Sequence, residues 1–521
     1  MILDYWRQMR ADPTVRWSDL VLGLMDRYRR FALSTLLVLY LAGFSGQWRP
    51  EPDSALYVGL GRNLAAGKGY TFHSKPHHLA YPGWPWVLSG IFRAFGSHAM
   101  LVAHVVVLLM AIASLALMYR LALLHAGRPT AVLMTVGLGI SYTFYRYSFE
   151  LRSDMPFMLG VMMVLAGYEG VVSVRRGGAR ERQRSRWDWV LLGAGLVIAA
   201  TTRPTMWALL GALFASVAWG LIRGKLGKKA LLVLAIVPIC AALFLLADPR
   251  RGGAAGSRVG DYEDVVFETL SWPKIQANVS QLLDPMASEG LFGLDFGHAV
   301  RLGPVSLQMI GSVVAIFAGL LVFRERALWG LWFLSTVLMM VIILARDRYF
   351  LPVLPLMIYG WWVLIRQINL RVPGRAGNLI FSLLFMLGAV PNAAKCGSLV
   401  IEQRHANPLT VIRDGRYESV YRVADMIKQN VPEGGWVIGP KKFGRVLTAL
   451  TGRNVTEPGD VKGNERAFAE WYLLEPAQFD NDSPLLRQNL YTYGPPIAHL
   501  QGRYDRQPWV LRFVKAVEGT R

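Results

Sequence analysis

The sequence predicts a polytopic α-helical membrane protein that ends in a small soluble α/β domain. Hydrophobic residues make up 53% of the chain and charged residues only 17%, and the mean hydropathy is +0.32. Apolar windows of about 18 to 22 residues, each long enough to cross a bilayer, recur along the chain. These windows stop near residue 395, and the remainder has the composition of a soluble domain. An ordinary soluble protein does not combine these properties.

The distribution of charge indicates membrane topology. The formal net charge of +21 is high enough to suggest nucleic-acid binding, but the excess Lys and Arg lies largely in short loops between apolar windows. This pattern is typical of cytoplasmic loops and argues against a nucleic-acid-binding protein. The basic segments 175–186, 223–229 and 324–326 all fall on the same side as the Arg-rich arm at residues 1–30. We therefore expect a multi-pass protein of the cell (inner) membrane.

The hydropathy pattern divides the chain into three parts. We predict a cytoplasmic arm (1–30), a transmembrane domain (31–395) and an outer-side α/β domain (396–521). The transmembrane domain contains two long outer loops, 49–97 and 248–304. About eleven spans are expected, at 31–47, 99–119, 130–147, 155–174, 187–201, 204–222, 229–247, 305–323, 327–344, 349–366 and 378–394. The fifth of these is short, and a re-entrant segment there would reverse the side of every later loop.

The C-terminal part carries patterns of both helix and strand. Residues 418–430 have apolar residues at helical spacing, whereas 435–439 and 508–517 are rich in the aromatic and β-branched residues typical of strands. These segments predict the α/β domain.

Asp53 is the first candidate catalytic residue. It begins a segment with Leu56, Leu60 and Leu64 on one face, which predicts an amphipathic helix at the membrane surface. A carboxylate held there can accept a proton from a hydroxyl nucleophile. The simpler interpretation is that Asp53 only caps the helix, because Asp is a preferred N-cap residue.

A second acidic site and several arginines are expected on the same outer side. Asp154 adjoins an apolar run, so it is expected to face the bundle interior, where it could bind a metal, orient an acceptor or pair with an arginine. Arg203, Arg346 and Arg348 lie near the outer boundary, against the positive-inside trend. An anionic ligand such as a lipid phosphate would explain them, and so would structural ion pairs.

Aromatic residues and histidines accompany these charges. Tyr57, Tyr81, Trp84 and Tyr349 are candidates for substrate binding, although tryptophans of the first loop could equally lie at headgroup level. The histidines of this loop, His73, His77 and His78, lack the spacing of any zinc motif. A divalent metal is therefore only a possibility, with Asp53 and Asp154 as its candidate ligands.

Four motifs of the chain resemble those of one enzyme family. The segments PDSALY, RNLAAGKGY and YPGWP of the first loop, RSDMPF, TRP and RDRYFLPVLP occur in that order over residues 30–370. They resemble the bacterial GT-C membrane glycosyltransferases of the protein O-mannosyltransferase-like group (glycosyltransferase family 39-like), which includes the aminoarabinose transferases. Ser54 stands where many members carry a second acidic residue, which bears on metal use, and Tyr81-Pro82 replaces a double proline.

The resemblance implies a GT-C-like fold and an inverting transfer of a sugar. The donor would be a polyprenyl-phosphate sugar, and the acceptor a hydroxyl of a lipid, glycan or protein at the outer face. Asp53 matches the family's general base, Asp154 its second acidic position, and Arg203, Arg346 and Arg348 are candidates for the donor phosphate site. Two alternatives remain from other classes: a transporter or flippase for a lipid-linked sugar, and a non-catalytic membrane scaffold.

Overall fold

The computed structural model contains a helical bundle followed by a small mixed sheet. It describes residues 16–46, 48–72, 75–77, 80–172, 186–223, 271–283, 291–293, 301–302, 305–342, 347–372, 374–405, 415–433, 435–439, 444–456, 470–476, 491–500 and 509–516. The predicted seventh span (229–247) lies outside these residues. Each of the other predicted spans coincides with one or more helices.

The first half of the bundle follows the predicted windows with small shifts. Its helices are α1 (Trp17–Arg27), α2 (Arg29–Gly43), α3 (Pro52–Ala65), α4 (Gly83–Phe95), α5 (Ala99–Ala126), α6 (Arg128–Ile140), α7 (Tyr142–Tyr147), α8 (Asp154–Val172), α9 (Arg186–Thr202) and α10 (Met206–Ile222). The predicted third span is broken at Ser141, where the backbone becomes extended between α6 and α7. A short hairpin in the first loop pairs β1 (Thr71–Phe72) with β2 (Lys75–Pro76).

The second half adds the remaining helices of the bundle. They are α11 (Trp272–Gln281), α12 (Leu307–Glu325), α13 (Ala327–Ile342), α14 (Leu354–Arg371) and α15 (Gly374–His405). A second short hairpin, β3 (Arg301–Leu302) with β4 (Val305–Ser306), precedes α12, and a 3-10 turn, Asp347–Val353, leads into α14. Helix α15 continues about three turns beyond the predicted end of the last span at residue 394.

Several of these helices have the length and composition of membrane spans. Among the described residues, Gly83–Ala126, Arg348–Arg371 and Gly374–Ile401 are long and apolar enough to cross a bilayer. Four shorter apolar helices accompany them: Arg128–Ile140, Met206–Ile222, Met309–Phe323 and Ala327–Ile342. Large apolar side chains such as Phe31 and Leu383 are exposed on the outside of the bundle, as a lipid-facing surface requires.

Helix α9, whose predicted span was the uncertain one, runs the full depth of the bundle. We call the end at which residues 48–98 lie the first-loop end, and the opposite end the far end. Near its start, Asp188 pairs with Arg120 late in α5, at the far end. Just beyond its last residue, Arg203 pairs with Asp154, the first residue of α8, at the first-loop end. Helix α9 therefore traverses the bundle alongside α8 and does not turn back.

Part of the N-terminal arm is docked on the bundle. Within the predicted cytoplasmic arm (1–30), α1 contacts the turn between α14 and α15. The backbone N–H groups of Trp17 and Ser18 donate to the side-chain oxygens of Asn378 and Asn369, at 3.1 and 3.3 Å. These hydrogen bonds cap the start of α1, because the first N–H groups of a helix have no partner within the helix.

The first loop is folded over the bundle by α3 and α4, which pack against each other. Gly83 begins α4 in contact with Thr201, near the end of α9, and a side chain at this position would overlap the threonine. This close approach brings the first loop next to Arg203, two residues after Thr201.

The C-terminal part forms the predicted α/β domain. It contains α16 (Gly415–Asn430), α17 (Gly444–Thr451), and strands β5 (Trp436–Ile438), β6 (Asn454–Thr456), β7 (Glu470–Pro476), β8 (Tyr491–Leu500) and β9 (Trp509–Ala516). The strand order is β6-β5-β7-β9-β8, with β5 parallel to β6 and β7, and β9 antiparallel to β7 and β8. The domain docks on the first loop, where α17 packs against α3.

Candidate active site

Asp53 lies in the first turn of α3, but it does not cap the helix. The N-cap residue is Glu51, whose backbone N–H donates to Ser54 Oγ at 3.0 Å. The side chain of Asp53 instead points toward the bundle, where Arg348 Nη1 contacts its Oδ2 atom. The capping interpretation of Asp53 is therefore wrong for this helix, and the carboxylate has a partner almost 300 residues away in sequence (|i−j| = 295).

The surroundings of Asp53 favour its ionised form. Burial alone would raise the pKa of this carboxyl, but the guanidinium groups of Arg348, Arg152 and Arg445 outweigh burial and hold the pKa below its usual range. Its position in the first turn adds the favourable field of the helix N-terminus. Asp53 is thus a carboxylate at neutral pH and is able to accept a proton.

Asp154 and Arg203 form a buried ion pair beside it. Arg203 Nη2 lies 2.6 Å from Asp154 Oδ1, and only 2% of the aspartate side chain and 8% of the arginine side chain are exposed. The other carboxylate oxygen, Oδ2, is buried and makes no hydrogen bond within the described part of the chain. A buried carboxylate oxygen without a hydrogen bond is a costly arrangement, and it is typical of a site that binds something.

Tyr349 joins the two arginines. The guanidinium carbon of Arg203 lies 5.2 Å from the centroid of its ring, and that of Arg348 lies 5.4 Å from the same centroid. Cation–π attraction holds both charges against one aromatic ring. Two of the three predicted phosphate-site arginines therefore converge. Arg346, the third, lies outside the described residues.

Hydroxyl groups extend the network to α3. Tyr57 Oη and Ser153 Oγ are hydrogen-bonded at 2.8 Å, and Arg203 Nε donates to the same serine oxygen at 3.2 Å. Burial raises the pKa of Tyr57, so its hydroxyl stays protonated at neutral pH. Ser153 thus fixes the orientation of Arg203 relative to α3. Ser153 was not among the predicted site residues, although it lies within the RSDMPF motif.

Arg152, in the same motif, was also missed. Its Nε atom lies 2.9 Å from Glu150 Oε2, and its Nη2 atom lies 3.6 Å from Glu51 Oε2. Glu150 also accepts a hydrogen bond from Arg146 Nε at 2.9 Å. Burial raises the pKa of Glu150 in spite of both arginines. These ion pairs anchor the loop before α8 to the start of α3, and Arg152 adds positive charge near Asp53.

The remaining aromatic candidates, Trp84 and Tyr81, are buried. Trp84 is fully buried in the main core, and Tyr81 is 9% exposed. In this conformation Trp84 offers no surface to a substrate, which differs from the expected substrate-binding role. The spacing YPGWPW cannot reveal this, since the same pattern suits a sugar-binding loop or a packed helix start.

The two carboxylates are the groups that would hold a divalent metal. Among the described residues, no three His, Cys, Asp or Glu side chains lie close enough together to do so. His77 Nε2 accepts a hydrogen bond from the backbone of Ala80, while His73 and His78 are outside the described residues. Asp53 and Asp154 each face an arginine, so the positive charge at both carboxylates is supplied by side chains.

Arg445 is a residue that no sequence pattern pointed to. It lies in α17 of the C-terminal domain, and its Nη1 atom is 3.9 Å from Asp53 Oδ1. No motif surrounds it. Its proximity to Asp53 depends wholly on how the domain docks on α3.

Comparisons with known proteins connect this geometry to one fold. No protein-family profile matches the sequence, and no curated protein sequence matches it. Solved structures do match. The crystal structure of ArnT from Cupriavidus metallidurans bound to undecaprenyl phosphate has 13% sequence identity and a TM-score of 0.58, covering 93% of this chain and 98% of that chain. Its apo structure gives a TM-score of 0.57 at 13% identity, covering 94% and 98%.

A second known protein is similar over a somewhat smaller part. The apo crystal structure of the Archaeoglobus fulgidus oligosaccharyltransferase has 12% identity and a TM-score of 0.55, covering 85% of this chain and 69% of that chain. At these identities the likeness is one of fold, and it confirms the resemblance predicted from the motifs at that level. The chain is an integral membrane protein with the GT-C fold of these glycosyltransferases.

Proposed function

We propose that this protein is an inverting glycosyltransferase that moves a sugar from a polyprenyl-phosphate donor to a hydroxyl at the outer face of the membrane. The observation that carries the proposal is the pair of carboxylates, Asp53 and Asp154, each held by an arginine at the first-loop end of a GT-C bundle. The first-loop end would then face the periplasmic side of the inner membrane, as the positive-inside pattern predicts.

Asp53 is the base in this proposal. As the acceptor hydroxyl approaches, its proton passes to the carboxylate, and the oxygen attacks the anomeric carbon of the donor sugar. The bond from that carbon to the phosphate oxygen breaks, and the phosphate leaves with the bonding electron pair. Attack opposite to the leaving group inverts the anomeric centre.

Arg203 and Arg348 bind the leaving phosphate. The donor phosphate carries one negative charge and leaves as polyprenyl phosphate with additional charge. The two guanidinium groups beside the ring of Tyr349 would stabilise that charge. Because the phosphate is stable as an anion, it needs no proton from a general acid to depart. Asp154 would orient Arg203 and accept a hydrogen bond from the sugar or the acceptor through its Oδ2 atom.

Relatives of similar fold agree with this donor class. One ArnT structure is bound to undecaprenyl phosphate, and a structure of the archaeal oligosaccharyltransferase, with a TM-score of 0.51 and 12% identity over 91% of this chain and 74% of that chain, is in complex with an inhibitory peptide and a dolichol-phosphate. A hexosyl or pentosyl unit on such a lipid is the proposed donor, and a lipid, glycan or protein the acceptor.

The test uses the full-length protein in nanodiscs with a panel of undecaprenyl-phosphate sugars (glucose, mannose and arabinose) and a cell-envelope extract as acceptor source. Wild type is expected to release undecaprenyl phosphate from at least one donor. Asp53→Asn is expected to bind that donor and release about 10²- to 10⁴-fold less, because the base is gone while the phosphate site remains. Donor binding without release by both proteins would instead favour a transporter or a scaffold.

A further inference from the structure

The C-terminal domain contacts α3, the helix that carries Asp53, near both of its ends. At the start, Tyr421 of α16 donates from its hydroxyl to the carbonyl of Trp48 at 3.0 Å, and Trp48 Nε1 donates to Ser54 Oγ at 3.2 Å. Near the end of α3, Arg62 donates to the carbonyl of Ala449, in the last turn of α17. Carbonyls of a last helical turn have no partner within their helix, so Arg62 caps α17 from the neighbouring domain.

These contacts set the position of α17 along α3. Arg445 and Ala449 follow one another in α17 in the same order as their partners Asp53 and Arg62 in α3, so the two helices run in the same direction. Arg62 is further held by the ring of Phe92 in α4, 5.5 Å from its guanidinium carbon. The place of Arg445 above Asp53 is therefore fixed by helix packing and not by one long ion pair alone.

The two oxygens of Asp53 have different partners. Oδ2 is contacted by Arg348 from the bundle, whereas Oδ1 faces Arg445 from the C-terminal domain at 3.9 Å. Under the proposed function, Arg348 binds the donor phosphate and shares its charge with that group. During turnover, Arg445 is then the guanidinium on the side of Asp53 away from the phosphate.

The geometry points to Arg445 as a positioning residue: we propose that it makes the C-terminal domain part of the active site by holding Asp53 toward the acceptor while Arg348 binds the donor phosphate. This inference rests on the proposed function. It assigns to the outer domain a part in the chemistry, beyond covering the bundle.

Other charges around Asp53 do not perform this role as well. Arg152 also lowers the pKa of Asp53, but its guanidinium is held by Glu150 and Glu51 and forms no ion pair with Asp53 among the described residues. Asp154 and the un-ionised Tyr57, on the bundle side, do not supply positive charge. Among the ion pairs of the described residues, Arg445 has Asp53 as its carboxylate partner and is itself about half exposed.

The size of the effect follows from that exposure. Exposed ion pairs contribute little, so removing Arg445 should lower kcat by about two- to fivefold and leave most of the activity. The effect should grow toward acidic pH, since a carboxylate with fewer cations beside it takes up a proton more easily.

The experiment compares full-length Arg445→Gln, Arg445→Lys and the control Lys428→Gln in nanodiscs, using the undecaprenyl-phosphate sugar that wild type turns over. Lys428 is a matched control because it is an exposed cation of the same domain, 3.8 Å from Asp425 on its own helix. Expected for Arg445→Gln are a lower kcat, an acid limb of the kcat profile moved to higher pH, and unchanged donor affinity. Arg445→Lys should recover part of kcat, and Lys428→Gln should match wild type.

Each other outcome overturns the inference in a distinguishable way. If Arg445→Gln behaves like Lys428→Gln while wild type turns over, Arg445 has no role in positioning. A weaker donor affinity would assign it to the phosphate site instead, and a lower melting temperature for Gln but not Lys, without the pH shift, would make it structural. Absence of turnover by wild type with every donor would refute the proposed function itself.

Discussion

Arg348 Nη1 contacts Asp53 Oδ2, so the carboxylate that we propose as the base and a guanidinium that we propose for the donor phosphate are partners of each other. A base held by a cation is a weak base, because the cation stabilises its ionised form. A phosphate that binds Arg348 would compete for this contact and leave Asp53 more basic. Donor binding would thereby make Asp53 a stronger base for the proton of the acceptor hydroxyl.

The pH dependence of the reaction tests this relationship. The surrounding arginines hold the pKa of Asp53 below its usual range in the protein by itself. The acid limb of kcat/KM, which reports the free enzyme, should therefore lie below the pH range in which an ordinary carboxyl titrates. The rate falls as pH decreases through the pKa, because the protonated acid cannot accept a proton. The acid limb of kcat, which reports the donor complex, should lie at higher pH. If the acid limbs of kcat and kcat/KM coincide, donor binding does not separate Arg348 from Asp53.

Replacement of Arg348 should weaken donor binding. We expect Arg348→Gln to raise the Kd for undecaprenyl phosphate by about 10- to 100-fold, since a hydrogen bond to a charged group contributes roughly 1.5–3 kcal/mol. Isothermal titration in nanodiscs measures this directly. Arg146→Gln is the control, because Arg146 lies at the same end of the bundle but pairs with Glu150. Equal affinities for the two variants would remove Arg348 from the phosphate site.

The hydroxyl network makes a prediction about stability. Ser153→Ala removes the partner of both Tyr57 Oη and Arg203 Nε, so two buried polar groups lose a hydrogen bond, at a cost of about 1–3 kcal/mol each. Tyr57→Phe removes a hydroxyl but leaves Ser153 bonded to Arg203, and should cost about 1 kcal/mol. In detergent, the melting temperature of Ser153→Ala should therefore be lower than that of Tyr57→Phe. The reverse order would show that Tyr57 has another buried partner.

Removal of metal ions is expected to change the rate little. Arg203 and Arg348 already place positive charge on the two carboxylates, which a Mg²⁺ or Mn²⁺ ion would otherwise supply. Release of undecaprenyl phosphate after EDTA treatment should stay within about twofold of the untreated rate. A large loss that added Mg²⁺ or Mn²⁺ restores would establish an ion bound by Asp53 and Asp154.

Much of the fold was predictable because its main cause is local in sequence. A bilayer requires long apolar helices, and these are visible as windows of hydropathy. Pairing with an arginine was one of three possibilities for Asp154, and the structure shows Arg203, from the TRP motif after α9, as its partner. Helix ends were less predictable, as the break at Ser141 and the long α15 show.

The site was predictable only where a motif or a membrane boundary restricted the choice. The sequence indicated Arg348, because positive charge on the outer side is unusual. It did not indicate Asp53 as the partner of Arg348, because several acidic residues were equally possible partners. Ser153 and Arg152 were not predicted as site residues, because the carboxylate of Asp154 was the stronger candidate in the same motif. No local sequence pattern indicates Arg445, because its position beside Asp53 results from contact between two parts of the chain that are far apart in sequence.

The position of α17 has a consequence for how the protein is made. Asp53 is synthesised early, Arg348 much later, and Arg445 only after every described helix of the bundle. At about 5–20 residues per second, the ribosome leaves an interval of many seconds between the first and the last of them. During that time Asp53 would lack Arg445, its partner from the C-terminal domain. Full activity would begin only after the C-terminal domain has crossed the membrane, folded and docked.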